Sequence, residues 1–309
     1  MDSSNRKKVV NISMDVEDVY GDVHLLNQHL ENLVDFFNNN QIYCDIYLTG
    51  IRLAQIEYEN PELINKVNSK FINVGYHSNT HSFFLLPMIE EIGYKIEKIE
   101  EEFFDVSRMQ FYTHKTGGIK LFRKYYDSKM FRCPAFCWTP QYFKYMRKWG
   151  MQYTTIDINI KKPIEFMGLT VIPVVEKPLE AIQNIDEIDN ILSDYNVVSV
   201  YFHPARLLYD QFWDKDSEHK LYDDLIYRTE KVKELIIRLK EKYDIISLNN
   251  IDNYITEDDV YLDDAENILS DSMIAKWKWS QLPQNYYNTK HVNELKSEIF
   301  SYKPMRIIC

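Results

Sequence analysis

Short apolar runs that each stop at a polar or charged cluster recur along residues 8–251, with amphipathic stretches between them. This alternation constrains the fold more than any other feature. Parallel strands need long crossovers, so a strand–helix alternation implies a parallel sheet with helical connections. The first run, Val9-Val10-Asn11-Ile12-Ser13-Met14, reads as a buried strand that ends in acids. Further strands are expected over residues 42–48, 71–76, 153–158, 169–175, 197–202 and 245–248. Leu26, Leu30, Leu33 and Phe37 follow one another at spacings of 4, 3 and 4, which predicts an amphipathic helix over 24–39. Thr49-Gly50 is expected to stop the second strand, with a helix from Pro61, a residue tolerated in a first turn. Residues 87–106 read as a helix with a Glu-rich outer face, and 185–195 and 222–243 as two more. Thr139-Pro140 is a good helix opening and Gly150 a good stop.

Residues 8–255 therefore form one α/β unit of barrel type, whose chemistry sits in the loops after the strands. Residues 256–309 break the pattern: acidic residues come first, then Trp277, Trp279, Tyr286 and Tyr287. They read as a C-terminal extension that packs on the barrel or on a second subunit of a homo-oligomer.

A formal charge of −11 argues against nucleic acid or an anionic membrane as the main partner. No apolar run approaches the roughly 20 residues of a transmembrane segment. The N-terminus has no apolar signal core, and Cys44, Cys133, Cys137 and Cys309 show no zinc-ribbon pairing, so free thiols in a reducing cytoplasm are expected.

The chemistry-bearing residues cluster just after the apolar runs. His77-Ser78-Asn79-Thr80-His81 follows the third strand, and histidines at i and i+4 share one face of a helical turn, so both can reach one metal. Asp15-Val16-Glu17-Asp18 follows the first strand, Arg132-Cys133-Pro134 a middle one, Asp157 another, and His203-Pro204 ends the strongly apolar run 197–202. Residues two apart on a strand point the same way, so Asp15 and Glu17 face one site while Val16 packs. Asp18 reads as a turn residue, and His24, His29, His114 and His219, which have no partner pattern, as surface residues.

In this order the motifs resemble the polysaccharide deacetylase family, the NodB-homology or carbohydrate esterase 4 group, over residues 8–251. Asp15-Val16-Glu17-Asp18 is similar to its acidic motif, His77 to His81 to its H-[ST]-x-x-H metal motif, Arg132-Cys133-Pro134 to its R-x-P motif, and His203-Pro204 to its late H-P motif. Two positions depart: Asp157 is followed by Ile158-Asn159-Ile160 where the family's fourth motif ends in Trp, and Val200 stands at a usual leucine. The resemblance implies a distorted (β/α) barrel of about seven parallel strands. It also implies one divalent metal, usually zinc, and a metal-dependent deacetylase acting on an N-acetylated sugar. Glu17, His77 and His81 would be metal ligands and Asp15 the base, held ionised and aimed by Arg132. Pro134 and the backbone N–H of Ala135 would form the oxyanion and substrate contact, and His203 the acid oriented by Asp157. The expected substrate is an intracellular glycan precursor, nucleotide- or lipid-linked. A deformylase or non-sugar amidohydrolase on the same scaffold, and a catalytically inactive binding member, are the competing readings.

Overall fold

The structure is a computed structural model that describes residues 8–18, 21–79, 102–105, 110–113, 118–134, 146–155, 160–166, 168–210 and 219–255. Strand β1 (Val9–Val16) lies inside a nine-stranded sheet with β2 (Cys44–Leu48), β3 (Ile72–Tyr76), β6 (Met130–Arg132), β7 (Tyr153–Thr155), β9 (Leu169–Val171) and β8 (Ile164–Phe166) following in that order on one side. On its other side lies β10 (Val197–Phe202). Strand β11 (Asp244–Ile246) pairs with the first residues of β1, Val9 to Asn11, while β2 pairs with its last, Ser13 to Val16. Every pairing in this sheet is parallel except that of β8 with β9. The ladder does not close into a full ring. A single parallel bridge, Val174 to Ser199, stitches the segment after β9 to β10.

The α/β barrel reading is thus met by an open version of it. Side-chain alternation explains its two layers. Val10, Ile12, Met14 and Val16 point outward into a core shared with Leu30, Leu33, Val34 and Phe37 of α1 (Val23–Asn39). The intervening Asn11, Ser13 and Asp15 are also buried, on the opposite face. Asp22 caps α1, its Oδ1 accepting from the His24 and Leu25 amides at 2.9 and 3.2 Å. Val9, Met130, Tyr153 and Val197, each the first residue of its strand, form a separate apolar cluster with Leu248 and Ile251 of the 3-10 helix Leu248–Asn253. That helix plugs the end of the barrel opposite the strands' C-termini.

Thr49-Gly50 stops β2 and a helix, α3 (Pro61–Lys66), starts at Pro61, both as expected. Several other readings are corrected. A helix that the sequence reading lacked, α2 (Gly50–Glu59), lies between them, capped by Thr49, which accepts from the Arg52 amide. The stripe was hidden because Arg52 and Gln55 sit on the buried face beside Leu53 and Ile56. The helix expected over 87–106 fails at its end, where β4 (Glu102–Asp105) pairs antiparallel with β5 (Gln110–Thr113); cross-strand pairing overrides the helical propensity of the Glu-rich run. Gly168, with φ +76°, turns β8 back on β9 in a hairpin that periodicity did not show. His29 is buried in α1, where burial and then nearby Lys233 push its imidazole down to about 4. Asp18 is buried too, and its carboxyl is raised by burial, an effect that Arg52 opposes and Glu17 reinforces. Helices α4 (Gly118–Tyr125), α5 (Ile185–Leu192) and α6 (Leu225–Lys242) complete the described α-helices, and two more short 3-10 helices span Leu179–Ala181 and Pro204–Leu207. His114, Thr139, Pro140 and the expected extension 256–309 lie outside the described residues.

Candidate active site

Arg132 ends β6 with its side chain fully buried inside the barrel. A guanidinium brings five N–H donors that a dry interior must satisfy. Nη1 donates to Asp15 Oδ1 at 2.5 Å, Nε to Thr155 Oγ1 at 2.8 Å, and Nη2 to Ser13 Oγ and Ser199 Oγ at 2.8 and 2.9 Å. The Tyr47 ring covers one face, its centroid 4.2 Å from the guanidinium carbon. Tyr47 fits because residue 75 is glycine: a Cβ there would meet the ring at 2.7 Å. The polar column continues away from the site. Ser199 Oγ donates to Asn11 Oδ1 at 2.8 Å, and Asn11 Nδ2 donates to Asp45 Oδ2 at 2.7 Å. Burial pushes the Asp45 carboxyl up to about 6, against donors from Leu248 N–H, Ser247 Oγ and Asn11.

The backbone of Arg132 reaches a second residue. Its carbonyl lies 2.8 Å from His77 Nδ1. A carbonyl only accepts, so Nδ1 carries the hydrogen and Nε2 is the nitrogen turned toward the rim. That nitrogen faces Glu17 Oε2 at 3.1 Å. At this distance the two groups share a proton, and with that proton lost the same pair offers two donors to a metal. The turn after β3 is anchored by α2, whose Gly50 and Ile51 amides donate to the Ser78 and Asn79 carbonyls at 2.9 and 3.0 Å.

His203 follows β10 on the same rim. Its Nε2 lies 3.9 Å from Glu17 Oε1, and its Nδ1 lies 2.8 Å from Glu180 Oε1. Burial pulls this imidazole down, but the Glu180 hydrogen bond and charge, then Glu17 and Asp15, outweigh it and push the group up to about 9. Arg206, one turn further on, comes within 3.7 Å of the same Glu180 oxygen.

The structure therefore brings Asp15, Glu17, His77, Arg132 and His203 together at the C-terminal ends of β1, β3, β6 and β10. Pro134 is buried just beyond β6, after Cys133, whose amide donates to the Thr155 carbonyl at 3.2 Å. His81, Ala135 and Asp157 lie outside the described residues. Among the described residues, no group of three or more His, Cys, Asp or Glu is gathered as a metal would need; Glu17 and His77 supply two donors. Sequence reasoning missed Glu180 and the buried hydroxyls around Arg132. The signal for the latter was available: Asn11, Ser13 and Asp15 alternate with apolar residues in one strand. Glu180 carried none.

An open, mostly parallel (β/α) barrel with a polar rim at the strand ends is the class of protein that these features define. No family model matches the chain, and no curated protein matches it. Solved structures share the fold. A 4-alpha-glucanotransferase from Thermococcus litoralis matches with a TM-score of 0.54 at 13% identity over 93% of this chain. The chain spans about half of that protein, 48% of its length. A protein assigned as a polysaccharide deacetylase from Mycobacterium smegmatis matches with a TM-score of 0.52 at 14% identity, over 84% of this chain and 94% of that one. A family 4 carbohydrate esterase from Streptomyces lividans matches with a TM-score of 0.37 at 13% identity, over 77% and 91%. The structural neighbours thus include polysaccharide deacetylases and CE4 family esterases.

Proposed function

We propose that the protein is a metal-dependent carbohydrate N-deacetylase, removing the N-acetyl group of an amino sugar carried on a nucleotide or lipid as an intracellular glycan precursor. One observation carries the reading: Arg132 holds Asp15 through its guanidinium and His77 through its carbonyl, so a carboxylate and an imidazole Nε2 are aimed at one rim facing Glu17 and His203.

The donor chemistry fits one divalent cation, most simply zinc. Glu17 and His77 would hold it, with His81 as the third ligand, leaving open positions. Bound there, the ion supplies Lewis-acid polarisation of the amide carbonyl and acidifies water. Asp15 accepts the proton that the attacking water gives up. Arg132 keeps that carboxylate oriented, and Pro134 with the Ala135 amide would take the carbonyl oxygen. His203 delivers a proton to the departing amine from Nε2.

The test is acetate release from nucleotide-linked, lipid-linked and polymeric N-acetyl sugars, alongside the metal content of the purified chain. About one zinc-like ion per chain is expected, together with acetate from a linked precursor. Formate release from N-formyl analogues in place of acetate would turn the assignment to a deformylase. Full metal content in a His77→Ala, His81→Ala double variant would remove the metal site.

A further inference from the structure

Resting on the deacetylase reading, we propose that Glu180 is the positioning residue for His203, the task that the family pattern would give to Asp157. Glu180 sits in the 3-10 helix Leu179–Ala181, whose Leu179 is fully buried. The segment leading to it is registered along β10 by contacts two residues apart. Val174 bridges Ser199, and the Val175 amide donates to the Ser199 carbonyl at 3.0 Å. Tyr201 Oη donates to the Glu176 carbonyl at 3.2 Å, and the Glu180 carboxylate then meets His203 at 2.8 Å. The same stitch that joins the ends of the sheet therefore fixes where Glu180 stands.

A carboxylate oxygen accepts only, so His203 must present Nδ1–H to it and turn Nε2 toward Glu17 and the site. Outer partners of this kind set both tautomer and ring angle of a working histidine. The environment of Glu180 is built around that bond. Its side chain is 6% exposed, and among the described residues Arg206 is the second cation near Oε1 and Oε2 is buried without a hydrogen-bond partner.

The test uses the full-length, zinc-loaded chain and four forms: wild type, Glu180→Gln, Glu180→Asp and Asp157→Asn. Two readouts are taken, kcat and KM on the fastest acetate-releasing substrate, and the imidazole nitrogen signals of His203 by NMR. Glu180→Gln should lower kcat about 10- to 100-fold, with KM and zinc content unchanged, and should erase the Nδ1-protonated, carboxylate-bonded signature. Glu180→Asp should restore part of both, and Asp157→Asn should keep the signature. The proposal is overturned if Asp157→Asn erases the signature while Glu180→Gln keeps it. It is equally overturned if Glu180→Gln lowers kcat only together with zinc content or thermal midpoint. The NMR readout needs no turnover, so a chain that releases no acetate would refute the functional reading while still deciding the place of Glu180.

Discussion

Replacing Arg132 with Met tests the electrostatic centre of the barrel. Met has similar reach and no charge, so Asp15, 3% exposed, would lose the guanidinium 2.5 Å away. The serine hydroxyls would not be orphaned with it. Ser13 Oγ already donates to the Val200 carbonyl at 2.9 Å and Ser199 Oγ to Asn11 Oδ1 at 2.8 Å, so each keeps its acceptor, and Thr155 Oγ1 loses only a donor. The loss is therefore that of the ion pair. Charge centres about 4 Å apart attract by roughly 4 kcal/mol at an effective dielectric of about 20. Breaking one side of a buried pair costs about 3–5 kcal/mol, because the remaining charge is left desolvated. At about 2–4 °C per kcal/mol this is a fall of roughly 6–20 °C in Tm. Urea denaturation of chelator-treated protein at pH 7 measures it directly. Adding Asp15→Asn to Arg132→Met should recover most of the loss, since a neutral buried pair carries no stranded charge. The Arg132 carbonyl survives in the variant, so zinc content should stay near wild type while turnover is lost. A loss under about 1 kcal/mol, or a double variant no better than the sum of its parts, would refute the buried-pair argument.

Three further outcomes follow from the same geometry. In chelator-treated protein, His203 is raised from 6.5 to about 9, so its contribution to stability is complete below pH 6.5 and is lost as pH rises through about 9. The stability difference between wild type and His203→Gln should shrink by up to about 3 kcal/mol between pH 6 and 10, and a flat difference in urea titrations would contradict the Glu180 contact. Gly75→Ala would drive a Cβ into Tyr47 at 2.7 Å and Met130 Cβ at 3.1 Å, so a loss of about 1–3 kcal/mol is expected; a wild-type melting midpoint would show that Tyr47 is free to move. Asp15→Asn should keep zinc and lose turnover about 10²–10⁴-fold, whereas Glu17→Gln should weaken zinc first, with activity restored by excess metal; equilibrium dialysis giving the reverse pattern would exchange the two roles.

Local pattern was enough for the elements whose partners are near in sequence or interchangeable. An apolar run needs only burial, so β1 and β10 were legible with their terminal polar residues, and α1 showed its stripe in Leu26, Leu30, Leu33 and Phe37. Asp15, Glu17, His77, Arg132 and His203 came together with them, because residues that end parallel strands gather at one rim whatever the register. Where a buried surface is polar, the pattern is silent. Arg52 and Gln55 masked α2, and His29 read as surface until α1 was packed. Glu180 and His203 are 23 residues apart, with no periodicity linking them. Their 2.8 Å contact exists because Val174 happens to bridge Ser199, a long-range register. The residue types at the strand ends were thus determined by the sequence itself. Which carboxylate meets which imidazole was decided only by the tertiary structure, because a hydrogen bond depends on sub-ångström placement that strand pairing sets and composition does not.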